Sequence, residues 1–403
     1  MNATDIQREI FARGTSNIRP VVPVDYHKLE EAALEKMSPQ AAAYIAGGAG
    51  QGHSMRNNRL AFDRWQIVPR MMRDVSNRDL SVTILGQQLT SPLLLAPVGV
   101  LEMVRPEADR AVAEAAAQIN VPYIFSNQAS IPMERTAAVM GDARRWFQLY
   151  WSKSDALVAS LVRRAEACGC SAIVVTLDTT LLGWRTQDLD LAYLPFLLGK
   201  GIAQYSTDPV FQALLTEDGN AVDPDYLPQN GTLTLPPVRS LAAVKKFTEI
   251  YTNPALTWDK LPFLRERTRL PILLKGILHP DDARRALDLG IDGIIVSNHG
   301  GRQVDGSIGA LDALVDVAGA VGGRAPVLMD SGIRGGADIF RALALGASAV
   351  CLGRPYVYGL ALAGAEGVAA VLTHYLADFE LTMALAGCRA VADINRDCLR
   401  KAC

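Results

Sequence analysis

Eight short apolar runs, each separated from the next by a longer amphipathic stretch, constrain the fold of this chain more than any other feature. The runs begin at Pro92, Pro122, Arg145, Ser171, Pro271, Asp292, Pro326 and Ala349. Apolarity is continuous along each run, which is typical of strands buried on both faces of a parallel sheet. The intervening stretches, such as ALVASLVRRAEACG and GADIFRALALG, are long enough for crossover helices. This alternation favours a closed (β/α)8 TIM barrel over an open doubly wound sheet.

One interval in this pattern is much longer than the others. It separates the fourth run from the fifth, and we interpret residues 186–260 approximately as a lid insertion after strand 4. The insertion contains NGTLTLPP and few periodic helical patterns, so we expect it to be mobile without forming a separate domain. A barrel with insertions accounts for all 403 residues, so we predict a single domain over 1–403.

Charge and cysteine usage exclude several classes of function. The formal net charge is −2 with both signs interspersed, so we predict no nucleic-acid partner. We find no signal region and no uninterrupted apolar span, and therefore expect no membrane association and a cytoplasmic location. The six cysteines form no C-x-x-C pair, so we predict reduced thiols, no disulfide framework and no metal site.

The residues at the ends of the eight runs are unusually polar. They are Gly99, Ser126, Gln148, Tyr150, Thr176, Asp178, Lys275, Ser297, His299, Asp330, Gly353 and Arg354. In a (β/α)8 barrel the chemistry lies at the C-terminal ends of the strands. Any one of these residues is compatible with an ordinary loop position, but their recurrence at nearly every strand end predicts a shared site.

The segment SNHGGRQVDG after the sixth run gives the most specific prediction. His299 is suited to exchange a proton near neutral pH, and Arg302 offers a forked donor to a carboxylate. Asp178, at the end of the fourth run, is placed to orient His299 in the same barrel mouth. Arg185 follows seven residues later, and two arginines at one site favour an anionic substrate.

The last two runs end in MDSGIRGG and LGRP, where barrels commonly bind a phosphate. We assign Gly332, Arg334, Gly353 and Arg354 to that task. Polar groups at other strand ends then indicate a large cofactor with a phosphate tail. Lys275, inside the apolar run PILLKG, is expected near the cofactor ring system.

These motifs together resemble the FMN-dependent 2-hydroxy acid oxidase and dehydrogenase family. SNHGGRQ matches the family's active-site signature, and FQLY, TLDTTLLGWR, LLKGI and DSGIRGG follow the expected order from about Val24 onward. The resemblance implies His299 as the active-site base, Asp178 as its partner, and Arg185 with Arg302 as ligands of the substrate carboxylate. It also implies that Tyr44 and Tyr150 hydrogen-bond the substrate.

The resemblance further implies FMN as the cofactor and a small 2-hydroxy carboxylate and O2 as substrates. Family members form tetramers or octamers, so we expect a homo-oligomer, to which the C-terminal stretch EGVAAVLTHYLADFELTMALAG could contribute a packing helix. The residues implied to bind FMN are Pro97, Val98, Gly99, Ser126, Gln148, Thr176, Lys275, Ser297, Asp330, Gly332, Arg334, Gly353 and Arg354.

Two features resemble lactate 2-monooxygenase in particular: Gly99 in PVGV and the long insertion after strand 4. A lid that confines pyruvate and hydrogen peroxide would favour their reaction to acetate, carbon dioxide and water. The alternative is an L-2-hydroxy acid oxidase that releases the 2-oxo acid and peroxide. A catalytically silent FMN- or phosphate-binding barrel and a nucleotide dehydrogenase or isomerase barrel are more distant alternatives, because the matched catalytic positions are all filled.

Overall fold

The predicted barrel is present in the computed structural model, which describes residues 2–217 and 238–402. Its eight parallel strands form a closed barrel in which each strand pairs with its neighbours along the chain and the eighth pairs with the first. The strands are Leu93–Leu95, Tyr123–Phe125, Arg145–Leu149, Ile173–Thr176, Ile272–Ile277, Gly293–Val296, Val327–Met329 and Ala349–Leu352. Each lies within one of the eight apolar runs, so the predicted order of strands is confirmed.

Crossover helices surround the barrel and bury their apolar faces against it. They are Ala108–Ile119, Met133–Met140, Asp155–Ala167, Pro280–Asp288, Ala310–Val321, Gly336–Ala344 and Arg354–Leu385. Four helices precede the barrel in the chain: Ala3–Gly14, Tyr26–Lys36, Pro39–Ala46 and His53–Asp63. Strand Trp65–Ile67 pairs antiparallel with Leu399–Lys401, which ties the two ends of the barrel domain together.

The barrel interior is a packed core rather than a channel. Leu94, Ile124 and Trp146 pack with Val174 and further side chains from the other strands. A hairpin formed by strands Val82–Ile84 and Gln87–Leu89 adds Ile84 and Leu89 to the same cluster. The hairpin immediately precedes the first strand and closes the N-terminal end of the barrel. Only the opposite end, where the strands terminate, is left for a site.

The lid insertion contains more regular structure than the sequence indicated. Its described parts form helices Thr186–Asp190, Ala203–Ser206, Pro209–Glu217 and Val238–Ile250, with 3-10 turns Pro195–Leu198 and Trp258–Lys260, and helix Leu261–Arg265 follows it. An aromatic cluster of Phe196, Tyr205, Phe211, Phe247 and Tyr251 packs these elements together. The weak helical periodicity of the sequence did not reveal these helices, which aromatic contacts pack together. The expectation that the insertion is mobile without forming a separate domain stays a prediction. NGTLTLPP lies outside the described residues.

The C-terminal helix Arg354–Leu385 packs within the chain against helices Ala108–Ile119, Gly336–Ala344 and Tyr26–Lys36. By length and composition alone it could cross a membrane, but 61% of its most apolar window is buried inside the protein. That burial is expected of a core helix. The expectation that this stretch also contributes to a subunit contact stays a prediction.

The helix Arg354–Leu385 is bent at Ala363 and Gly364, where its dihedral angles depart from helical values. Two glycines, one on each side of the bend, pack closely against each other. A Cβ atom added at Gly359 would lie 2.4 Å from the carbonyl oxygen of Gly367, and one at Gly367 would lie 2.0 Å from that of Gly359. Both neighbours are backbone atoms and cannot rotate away. The bend therefore depends on the absence of side chains at these two positions.

We expect Gly359→Ala to lower the free energy of unfolding by about 1–3 kcal/mol, the usual cost of overpacking a core. Gly319→Ala is the matched control, because Gly319 is in helix Ala310–Val321 with no atom within 4 Å of an added Cβ. The control should be neutral or stabilising by up to about 1 kcal/mol through helix propensity. Urea unfolding of both variants measures the difference, and equal stability of the two would contradict the packing argument.

Candidate active site

The C-terminal ends of the strands open into a cavity. It has about 1020 Å³ of space between its atoms, part of it open to solvent. Its lining includes fourteen of the residues that the sequence assigned to a site: Tyr44, Pro97, Val98, Gly99, Tyr150, Arg185, Lys275, His299, Arg302, Asp330, Gly332, Arg334, Gly353 and Arg354. The fold therefore brings them together from almost every part of the chain.

His299 and Asp178 form a direct hydrogen-bonded pair beside this cavity. The His299 Nδ1 and Asp178 Oδ1 atoms are 2.7 Å apart. Thr179 Oγ1 also donates to Asp178 Oδ1 at 3.0 Å. An ionised carboxylate only accepts hydrogen bonds, so the imidazole must carry its proton on Nδ1. This tautomer leaves the lone pair of His299 Nε2 available to accept a proton.

The charges around this pair keep it in that form. Burial disfavours the Asp178 charge, but His299 and Lys275 outweigh it and lower the pKa of Asp178 to about 2. Burial lowers the pKa of His299, and Lys275 and Arg185 act in the same direction, although Asp178 opposes them. At neutral pH the carboxylate is therefore ionised and the imidazole is neutral, which is the state of a general base with an orienting partner.

Two arginine side chains meet on the substrate side of the cavity. The guanidinium carbons of Arg302 and Arg185 lie 4.9 and 5.9 Å from the centre of the Tyr44 ring. Arg302 donates to the backbone oxygens of Tyr44 and Gly47, and Arg185 donates to Gln303 Oε1 at 3.0 Å. Burial and the neighbouring Arg185 charge lower the pKa of Arg302 to about 9. An anionic ligand would offset that unfavourable electrostatic environment.

Two tyrosines complete the wall next to these arginines. Tyr44 and Tyr150 are both buried and both line the cavity. Burial and the Asp178 charge raise the pKa of Tyr150 to about 12, so its hydroxyl keeps its proton and can donate. The Tyr150 amide donates to Asn127 Oδ1 at 2.8 Å, which fixes the backbone that carries the ring.

Lys275 supplies a buried positive charge at the base of the cavity. Its Nζ atom is 3.0 Å from Asp330 Oδ2 and donates to Ser297 Oγ at 2.9 Å. Burial disfavours the charge, but Asp330 and Asp178 together raise the pKa of Lys275 above its ordinary value. The ammonium is therefore permanently charged. Ser297 Oγ also accepts from the His299 amide at 3.0 Å, which links the lysine to the loop that carries the histidine.

Four residues that the sequence assigned to FMN do not belong to the cavity lining. Ser126, Gln148, Thr176 and Ser297 are buried at the strand ends beside it. Ser126 Oγ donates to Gln148 Oε1 at 3.2 Å, and Gln148 Nε2 donates to Thr176 Oγ1 at 3.0 Å. They form a polar layer next to the cavity, and their assignment to FMN stays a prediction.

The end of the cavity at strands seven and eight fits a phosphate group. Arg334 and Arg354 lie there beside Gly332 and Gly353, and neither guanidinium forms a salt bridge within residues 2–217 and 238–402. Arg354 donates to the backbone oxygens of Ile45, Gly300 and Gly47 at 2.8–2.9 Å. It thus also fixes the His299 loop to the segment before the barrel, a structural role that the sequence did not predict.

The cavity also contains residues that sequence reasoning missed. Phe196 and Tyr251 reach it from the lid insertion, and Gln128 and Leu182 from loops after strands two and four. The sequence offered no signal for Phe196 and Tyr251, because they lie far from any strand end. Leu181 and Trp184, in the segment after the fourth strand, are 60% and 72% exposed and are not in the lining.

Comparison with known proteins agrees with this site. Residues 33–401 match the FMN-dependent dehydrogenase family. The FMN-dependent alpha-hydroxy acid dehydrogenase of Penicillium citrinum is 44% identical over 402 residues, covering 100% of this chain and 96% of that protein. The L-lactate oxidase of Lysinibacillus sphaericus is 43% identical over 373 residues, covering 93% of this chain and 92% of that protein.

Solved structures give the same result. A crystal structure of mandelate oxidase with (S)-4-hydroxymandelic acid superimposes with a TM-score of 0.80 at 35% identity, covering 94% of this chain and 99% of that one. The cavity, its unpaired cations and these similarities agree on cofactor and chemistry. The chain belongs to the FMN-dependent dehydrogenase family and is an FMN-dependent oxidoreductase of the 2-hydroxy acid oxidase type.

Proposed function

We propose that the protein oxidises L-lactate or a similar small L-2-hydroxy acid with O2 as the electron acceptor. The observation that carries this proposal is the convergence of Arg185, Arg302, Tyr44 and Tyr150 on the open side of the His299–Asp178 pair. Two guanidinium groups suit a carboxylate, and the tyrosine hydroxyls suit the polar oxygens of such a substrate. The 43% identical L-lactate oxidase supports a substrate of this size.

Different residues of the cavity bind the substrate, orient it and accept its proton. Arg302 and Arg185 bind the substrate carboxylate, and Tyr44 and Tyr150 orient the substrate by hydrogen bonding. His299 Nε2 accepts the proton that the substrate loses, and the Asp178 carboxylate stabilises the imidazolium that results. FMN, held by Arg334 and Arg354 at the phosphate end, would supply the two-electron redox chemistry, with O2 as the final acceptor. Lys275 offsets negative charge on the bound cofactor.

The fate of the oxidised product distinguishes two versions of this function. Phe196 and Tyr251 place aromatic rings from the lid insertion at the cavity, and such an enclosure favours confinement of pyruvate and peroxide until they react. This supports a lactate 2-monooxygenase outcome. The second candidate is an oxidase that releases both products, which the similarity to L-lactate oxidase supports. A cytoplasmic location and a homo-oligomer remain part of the proposal.

One assay separates the two outcomes. The FMN-loaded protein is supplied with L-lactate and O2, and acetate, pyruvate and hydrogen peroxide are quantified together. We expect acetate with little peroxide, because the aromatic rings of the lid insertion at the cavity would favour reaction between the two products before release. Equal amounts of pyruvate and peroxide would establish the oxidase instead. No reduction of the flavin by any small L-2-hydroxy acid would refute the proposed substrate class.

Removal of the base should stop flavin reduction without loss of flavin. We expect His299→Gln to slow anaerobic bleaching of the flavin by L-lactate by about 10²- to 10⁴-fold, the usual contribution of a general base. Stopped-flow absorbance measures the rate, and the visible spectrum after gel filtration reports retained FMN. His279→Gln is the matched control, since His279 is an exposed residue at the start of helix Pro280–Asp288. Wild-type rates in His299→Gln would remove the histidine from its assigned role.

The pH dependence should follow the charge on His299. The neutral imidazole is the active form, so the rate of flavin reduction should fall as the pH drops through the His299 pKa, which lies below its ordinary value of 6.5. Asp178 raises that pKa, so in Asp178→Asn the acidic limb should move to lower pH. The maximal rate should fall by about 10²- to 10⁴-fold, because the orienting carboxylate is lost. A limb that stays in place would show that another group titrates.

A further inference from the structure

One attachment of the lid insertion to the barrel is a short segment, Gly201–Gln204, which we call the lid base. Other attachments are the ion pair of Arg164 with Asp208 and the hydrogen bond from the Lys153 amide to the Ile250 backbone oxygen. The Gly201 amide donates to Glu102 Oε1 at 2.8 Å, and the Ala203 amide donates to the backbone oxygen of Ala129 at 3.2 Å. Gln204 accepts from the Met133 amide at 3.0 Å. Glu102 and Ala129 belong to the connections that follow the first and second strands, and Met133 begins the helix Met133–Met140 after the second strand. The lid base therefore rests on both connections at once.

Close backbone contact at Gly201 makes the attachment specific. Gly201 has φ +71°, and an added Cβ would lie 2.6 Å from Val100 Cγ2 and 3.0 Å from the Gln128 backbone oxygen. The Val100 amide in turn donates to that Gln128 oxygen at 2.8 Å. The lid base therefore lies directly on the junction between the two loops. Gln128 and Gly99, which adjoin this junction, line the cavity.

The wall of the cavity depends on the same attachment. Phe196 precedes Gly201 by five residues, and its ring centre lies 5.3 Å from that of Phe247 and 5.7 Å from that of Tyr251. Phe247 and Tyr251 stack at 4.6 Å with an interplanar angle of 11°. Phe196 and Tyr251 face the cavity together with Arg185. Movement of the lid base would therefore move the wall next to the substrate arginine.

We propose that Glu102 is a positioning residue for the reaction: its carboxylate oxygen accepts the Gly201 hydrogen bond and thereby holds the lid base against the cavity loops. Glu102 lies in the 3-10 turn Leu101–Met103, in the connection after the first strand, and its own amide donates to Ser130 Oγ at 3.1 Å. The effect of this Glu102–Gly201 hydrogen bond on turnover rests on the proposed function, whereas its effect on the position of the lid base does not.

The chemistry around Glu102 makes an amide a faithful replacement. Burial raises the pKa of Glu102, although the Gly201 amide and the Lys200 charge act in the opposite direction. An uncharged side chain is thus tolerated at this position, and the oxygen of Gln can accept the same hydrogen bond. Glu102→Gln should retain the attachment, whereas Glu102→Ala removes the acceptor and leaves the Gly201 amide without it.

The first test measures hydrogen–deuterium exchange in the full-length, FMN-loaded protein. In Glu102→Ala we expect the amides of residues 199–204 to exchange about tenfold faster or more, and in Glu102→Gln to remain within about threefold of wild type. Glu114→Ala is the control, because Glu114 pairs with Arg110 on an exposed helix face nearby. Unchanged exchange in Glu102→Ala would overturn the proposal, as would Glu102→Gln behaving like Glu102→Ala.

The second test measures steady-state kinetics and products with L-lactate. We expect Glu102→Ala to raise KM about five- to tenfold with a smaller change in kcat and to increase the share of peroxide, and Glu102→Gln to restore both. Faster exchange without any change in KM or products would overturn the positioning role and leave only a structural one. If the wild type turns over no 2-hydroxy acid, the proposed function fails, while the exchange experiment still decides whether Glu102 holds the lid base.

Discussion

Charge balance in one cavity is the constraint on which the rest of the site depends. Arg185, Arg302, Arg334 and Arg354 all face this cavity, and none forms a salt bridge within the part of the chain that the structure describes. Desolvation of a cation that has no carboxylate partner is unfavourable, so a protein tolerates these buried or partly buried arginines where anions will meet them. Arg185 and Arg302 lie beside the Tyr44 ring, which suits a carboxylate, and Arg334 and Arg354 follow strands seven and eight, which suits a phosphate. The two pairs adjoin at the Gly47 backbone oxygen, to which both Arg302 and Arg354 donate.

The catalytic pair lies beside these arginines together with one further buried cation, Lys275. Lys275 is neutralised by Asp330, yet its charge still lowers the pKa of both Asp178 and His299. A lysine in this position therefore keeps the carboxylate ionised and the imidazole neutral at the same time. The His299–Asp178 pair can therefore take up one proton without a change in the protonation of a neighbouring group. Tyr150 does not compete for that proton, because its pKa is raised to about 12 and its hydroxyl is already protonated.

The sequence was sufficient to predict the barrel, because eight buried strands have a local signature. It was also sufficient to place His299, Asp178 and the arginines in one site, because every strand of a closed barrel ends on the same face. It could not predict that Arg354 binds three backbone oxygens. Nor could it place Phe196 and Tyr251 at the cavity, since the aromatic packing of the lid insertion depends on contacts between distant residues that leave no periodic pattern.

The lid insertion adds aromatic side chains to a site whose charged residues come from the strand ends of the barrel. A barrel fixes its strand ends rigidly, but the size of the space above them depends on what the connecting segments place there. Here the connection includes the hydrogen bonds at the lid base, the ion pair of Arg164 with Asp208 and the aromatic stacking further along. Substrate size and product retention can therefore change through the lid while the charges that bind cofactor and carboxylate stay where the strands hold them.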